Sequence, residues 1–271
     1  MLYCVWLLAS LAANTPARAQ ELPALRSLMT QGFSAAPPPV KADIPTPEMG
    51  IAEDEPPLPD DPDREHFRGG GQERAGRNIR FETPNYGPGE REQILAKYRN
   101  IDRGRLISRR LLEPALLFYH ANLNRLSNPD YLTVVDFSKH SSEARLYMVD
   151  MDLGSVKALH VAHGSGSDPG NTGYAKYFSN TPDSNMSSLG FYLTAETYSG
   201  KHGYSLRLDG LSATNSNVRG RAVVVHGASY VQERSVRPGR SWGCFAVSES
   251  VSDFVVKKLA WGSLIYAGLG K

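Results

Sequence analysis

From Tyr131 to Gly268 the chain is interrupted every few residues by glycine- and serine-rich turns, and most stretches between them are too short for helices. Seven of these stretches, 131–137, 145–151, 156–162, 189–196, 204–208, 221–225 and 263–268, are rich in Val, Tyr, Leu and Thr. Such residues suit the pleated, half-buried surface of a strand. Clusters such as Gly164-Ser165-Gly166-Ser167-Asp168 and Ser199-Gly200-Lys201-His202-Gly203 separate them as turns. Short strands with few helices between them argue against a doubly wound parallel sheet. The pattern predicts a mostly β (α+β) domain, a largely antiparallel sandwich or barrel. One helix is expected on its C-terminal side, at 248–259, with Ser248 as cap and Val251, Phe254, Val255 and Leu259 on one side. Ahead of the strands, helices are expected over 90–98, 106–112 and 114–126. Pro114 ends one and opens the next, and all pack on the outside of the β region.

The N-terminal third reads differently. Residues 1–19 read as a secretory signal: an apolar run over 2–13, then Ala17-Arg18-Ala19 as a cleavage site of the A-x-A type. The run is too short for a permanent bilayer span. No Lys or Arg precedes it, so an uncleaved anchor stays open as the alternative. Residues 20–90 are expected to form a disordered linker. Nine of the 18 prolines lie between residues 37 and 62, and residues 48–65 carry eight acidic side chains against one Arg. So little apolar surface does not offset the entropy of ordering the chain. Residues 91–271 form the expected folded domain, with no membrane span after signal cleavage. A formal net charge of only +2 gives no global argument for nucleic acid or for a membrane surface.

Cys4 and Cys244 are the two cysteines, and Cys4 falls inside the signal. A chain that loses its signal keeps one thiol, which is either buried and inert or kept reactive. The strand 221–225 runs into His226-Gly227, and eighteen residues after that histidine the turn Gly239-Arg240-Ser241-Trp242-Gly243 ends at Cys244. A histidine at the mouth of a buried strand is held rigidly, and a thiol beside an imidazole can lose its proton to become a nucleophile. Gly227 and Gly243 allow the backbone close to a substrate. The peptide N–H groups around Gly243 and Cys244 suit an oxyanion. Arg240 suits a substrate carboxylate or solvent equally well. His163 and His202, each at a glycine-rich loop, are candidates to line a groove. His160 lies three residues before His163, on the opposite face of a strand, so the two are poor joint metal ligands. Ser241 matches G-x-S-x-G, but that serine-hydrolase elbow needs a histidine after the serine, and none follows His226. Ser241 therefore reads as a turn-shaping residue.

His226-Gly227 followed by Ser241-x-Gly243-Cys244 resembles the YkuD-type L,D-transpeptidases of bacterial cell walls, whose pattern is HG, a spacer and S-H-G-C. The ordered segments His163-Gly164-Ser165-Gly166-Ser167, Phe178-Ser179-Asn180, Ser188-Leu189-Gly190, His202-Gly203-Tyr204-Ser205-Leu206, His226-Gly227-Ala228 and Gly239 to Cys244 are similar to the murein L,D-transpeptidase catalytic-domain branch. The resemblance covers about residues 105–270. It implies Cys244 as nucleophile, His226 as general base and peptidoglycan stem peptides as donor and acceptor. The product would be a 3-3 cross-link formed through a thioester with release of D-alanine. It also implies no cofactor and no metal, while the N-terminal signal implies a periplasmic or secreted enzyme. Two departures stand out: Trp242 replaces the histidine of S-H-G-C, and Phe245 stands where the branch more often has proline. The alternatives are an L,D-carboxypeptidase or another extracytoplasmic cysteine peptidase, and a non-catalytic wall-binding module.

Overall fold

The computed structural model describes residues 80–271. The signal expected at 1–19, Cys4 and the linker up to residue 79 lie outside the described residues. Two helices come first, α1 (Pro88–Lys97) and α2 (Arg109–Asn122). They are followed by β1 (Tyr131–Asp136), β2 (Leu146–Asp150), β3 (Val156–Leu159), β4 (Gly190–Gly200), β5 (Gly203–Gly210), β6 (Val224–Ala228) and β7 (Phe245–Ser248). Helix α3 (Glu249–Leu259) and β8 (Leu264–Gly268) complete the domain. Among the described residues no helix is long and apolar enough to cross a membrane.

The eight strands form one sheet in the order β3-β2-β1-β8-β4-β5-β6-β7. Just past β3, Val161 bridges Val247 of β7, which brings the two edges together into a nearly closed barrel. Pairing is mostly antiparallel, as expected, but β1 with β8 and β6 with β7 run parallel. Residues alternate strictly between two cores. Val135 of β1 and Leu146 and Met148 of β2 face the core shared with α3, where Val255, Val256 and Leu259 pack. Leu132, Val134, Tyr147 and Val149 face the other way, under Leu111, Ala115 and Phe118 of α2. This period of two, with both faces covered, is why β1 and β2 read as nearly continuous apolar runs.

Three expectations are corrected. The helices expected at 106–112 and 114–126 are one helix, α2, with Pro114 inside it. Pro114 lies in its second turn, and burial of Leu111, Ala115, Leu116 and Phe118 on both sides outweighs the single lost backbone bond. The strand expected at 221–225 is shifted to β6, because residues 219–222 make a tight turn with Ala222 at φ +53°. His226 is therefore the third residue of a buried strand and not at its mouth. Finally, β7 is an eighth strand, four residues long, and the sequence shows no run there long enough to mark it.

Contacts to the domain begin ahead of residue 91. Phe81 stacks on Phe118, whose ring stacks in turn on Phe191. Asn122, fully buried, accepts the Glu82 N–H at 2.7 Å and donates to the Glu82 carbonyl at 2.9 Å. A chain beginning at Arg91 should therefore lose about 2–4 kcal/mol in urea unfolding relative to one beginning at Arg80. The loss combines apolar exposure with an orphaned buried amide. Equal stabilities would contradict this.

Candidate active site

A parallel strand pair needs a crossover, and between β6 and β7 that crossover is the segment 229–244. Its last residues form the Gly239–Cys244 turn. The register Val225↔Phe245, His226↔Ala246 and Gly227↔Val247 ties the turn to the histidine strand. Val225, Phe245 and Val247 point into the α3-side core. The pleat sends His226, Ala228 and Ala246 the other way, where the two alanines pack with Ala162 and Val231. Cys244, one residue before Phe245, is half-buried, with its Sγ 3.7 Å from the Ala222 carbonyl.

Ser241 locks the turn. Its N–H donates to the His163 carbonyl at 2.9 Å, and its carbonyl accepts from the Ser165 N–H at 2.7 Å. Its Oγ donates to the Cys244 carbonyl at 2.8 Å and accepts the Gly243 N–H at 3.2 Å. Of the two amides expected to receive an oxyanion, that of Gly243 is thus already committed within the turn. Gly243 has φ +113°, and a Cβ there would sit 2.7 Å from the Met186 carbonyl, so close backbone packing requires the glycine. Gly227 answers to packing as well: a Cβ there would meet Ser252 Oγ of α3 at 2.8 Å.

His226 is buried, and its Nδ1 lies 2.8 Å from the Gly227 carbonyl. A carbonyl only accepts, so Nδ1 carries the proton and the Nε2 lone pair is left to take one. Burial pushes its pKa down to about 4; His202 and Lys201 act the same way, against the Gly227 hydrogen bond. The sequence left open what orients this ring, and the structure supplies a neighbouring carbonyl. His202, exposed at the β4–β5 tip, stacks on it with centroids 4.3 Å apart.

The remaining candidates fall in different places. His163 is buried behind the turn and not in a groove. Arg145 donates to its Nδ1 at 2.8 Å, and its Nε2 lies 3.5 Å from Asp168 Oδ2. It is the backbone of His163, not the ring, that holds Ser241. Arg240 Nη1 donates to the Asp168 carbonyl, tying the turn to the 164–173 loop. Trp242 points outward and is 45% exposed. His160 pairs with Glu233 across 3.2 Å, apart from His163. The six motif segments do converge: Gly164 on Ser241 and Ser187, Ser179 and Ser188 on Arg221, His202 on His226, and His226 beside Ala246. Sequence reasoning missed Arg145, Asp168 and Arg221. Arg221 is a charge directly ahead of an apolar run, and that was the available signal.

Two buried histidines have consequences for stability. Burial, then the Arg145 charge, pushes the His163 pKa to about 4, as for His226, against an ordinary value of 6.5. Below pH 6.5 the unfolded chain binds protons that the folded chain refuses. Stability is therefore full above that pH and falls towards pH 4, by up to about 3 kcal/mol per histidine. Urea titrations across this window should show the loss, and His163→Gln should flatten part of the slope. A native profile without that loss would contradict the assignment.

Comparison with known proteins gives three results. The family model described as the L,D-transpeptidase catalytic domain matches residues 105–267. No curated protein matches. Among solved structures the chain is similar to the L,D-transpeptidase LdtMt1 in complex with imipenem, at 12% identity and a TM-score of 0.33, covering 51% of this chain and 59% of that one. It is also similar to an L,D-transpeptidase from Mycobacterium smegmatis, at 13% identity and a TM-score of 0.33, covering 51% and 58%. A third is an L,D-transpeptidase from Xylanimonas cellulosilytica, at 15% identity and a TM-score of 0.29, covering 51% and 60%. The match thus spans about three-fifths of the length of each of these chains. On the family match across residues 105–267, the chain belongs to the L,D-transpeptidase catalytic-domain family.

Proposed function

We propose that this protein is a peptidoglycan L,D-transpeptidase in which Cys244 is the nucleophile and His226 the general base, acting outside the cytoplasm. The observation that carries the reading is the hydrogen bond from His226 Nδ1–H to the Gly227 carbonyl, on the strand paired with the one that follows Cys244. It leaves Nε2 unprotonated and able to accept the thiol proton. A His226 pKa lowered to about 4 keeps that ring neutral, and able to accept a proton, at neutral pH.

The chemistry runs in balanced steps. His226 Nε2 takes the thiol proton, and the Cys244 sulfur attacks the carbonyl carbon of the third residue of a donor tetrapeptide. The tetrahedral intermediate collapses, the bond to D-alanine breaks, and the imidazolium returns its proton to the leaving amine. While the thiolate and imidazolium coexist, the thiolate charge stabilises the protonated ring against the effect of burial. A side-chain amine of a second stem then attacks the thioester, His226 takes its proton, and the thiolate leaves. The product is a 3-3 cross-link. Water in place of the amine gives a trimmed tripeptide.

Intact-mass analysis of the protein with a disaccharide-tetrapeptide, with and without excess acceptor, tests this. We expect a thioester adduct, loss of D-alanine and a dimeric product. Cys244→Ala should lower turnover at least about a thousandfold without unfolding, and His226→Asn by about 100- to 10,000-fold. Turnover that survives Cys244→Ala would overturn the mechanism. Tripeptide without dimer would assign a carboxypeptidase.

A further inference from the structure

Arg221 stands ahead of β6, and the proton transfers above do not use it. Its half-buried side chain makes four hydrogen bonds to the segment 179–188. Nη1 donates to the Ser179 carbonyl and to Ser188 Oγ, each at 2.7 Å. Nη2 donates to the Met186 carbonyl at 2.5 Å and to Ser184 Oγ at 3.3 Å. All four acceptors are neutral oxygens, so these bonds orient the guanidinium without cancelling its charge.

That charge lies against the nucleophile's turn. The atoms nearest to where a Cβ of Gly243 would stand are the Met186 carbonyl, at 2.7 Å, and Arg221 Nη2, at 3.3 Å. The guanidinium therefore abuts the backbone directly before Cys244. On another side, Cys244 Sγ lies 3.7 Å from the carbonyl of Ala222, the residue after Arg221. Residues 221 and 222 thus bear on the turn with opposite influences: the Ala222 carbonyl accepts from the thiol, and a fixed cation beside Gly243 favours the thiolate. The tight turn with Ala222 at positive φ holds both in place. Burial lowers the Arg221 pKa, while Tyr192, Cys244 and Asp183 act in the opposite direction, so cation and sulfur are electrostatically coupled. The titratable groups that act on Arg221 are Cys244 from the turn, Tyr192 from β4 and Asp183 from the 179–188 segment.

We infer that Arg221 is a positioning residue of this site, whose fixed charge favours the thiolate of Cys244 and whose hydrogen bonds clamp the 179–188 segment to the Gly243 turn. This rests on the reading of Cys244 as the nucleophile. The test is the pH dependence of iodoacetamide alkylation in the full chain, followed at the Cys244 peptide. The native thiol should titrate below the ordinary value of about 8.5. Arg221→Gln should move the profile up by about one unit, slowing alkylation roughly tenfold at neutral pH with the high-pH plateau unchanged. Arg221→Lys should restore most of the shift. Asp183→Asn, at an exposed position, should move the profile the other way, and it decides the matter if Arg221→Gln does not fold. A native profile that is low but unmoved by these variants, or a change in plateau alone, would overturn the role of Arg221 and leave the nucleophile intact. An ordinary native profile would overturn both.

Discussion

The site depends on the parallel pairing of β6 with β7. Antiparallel neighbours join through a short turn, but parallel neighbours need the chain to travel back along the sheet before the second strand begins. Here that return is the segment 229–244, and it delivers Cys244 at the start of β7, beside the strand that carries His226. The register and the pleat then do the rest. Val225 and Phe245 are drawn into the core, so the alternate positions are set on the other face. Helix α3 packs so closely on this pair that Gly227 has no room for a side chain.

Beneath the turn lies a buried polar network centred on Arg145 and His163. Arg145 is fully buried, and it donates to the Val161 and Lys139 carbonyls and to His163 Nδ1. A buried guanidinium is tolerated only when its donors are used, since each one left dry costs free energy. Its hydrogen bond holds His163 neutral. Asp168, beside that ring, accepts the Thr172 and Gly173 N–H groups, which together lower its pKa against the effect of burial. The His163 carbonyl in turn fixes Ser241, so the turn that ends at Cys244 is anchored to the interior of the barrel. The segments that look like a substrate-lining loop in the sequence are in large part this scaffold.

The sequence was legible where chemistry is local. Runs rich in Val, Tyr, Leu and Thr marked β1 to β5 and β8, and Ser248 capped α3 as its hydroxyl suggested. The fold class followed from that strand pattern, and the family from motif wording spread over residues 105–270. Legibility failed where a feature depends on distant partners. β7 is four residues long and is made a strand by β6. The apolar run 222–225 reads as a strand from its start, but the chain turns at Ala222, with Arg221 drawn to the 179–188 segment. Pro114 reads as a boundary, yet burial on both sides carries α2 through it. His163 reads as a groove residue because its neighbours are glycine and serine, yet Arg145, eighteen positions earlier, takes its ring inward.

By itself the sequence determined that the chain holds a mostly β domain with one histidine and one cysteine set at the ends of a glycine-rich spacer. Strand periodicity, turn residues and helix caps act over a few residues, and those interactions are written in order along the chain. Only the tertiary structure decided that His226 bonds to the Gly227 carbonyl, that the Gly243 amide is committed within the turn and that Arg221 lies against the backbone at Gly243. Each of these joins groups whose approach depends on how the strands pair and on what burial strips of water.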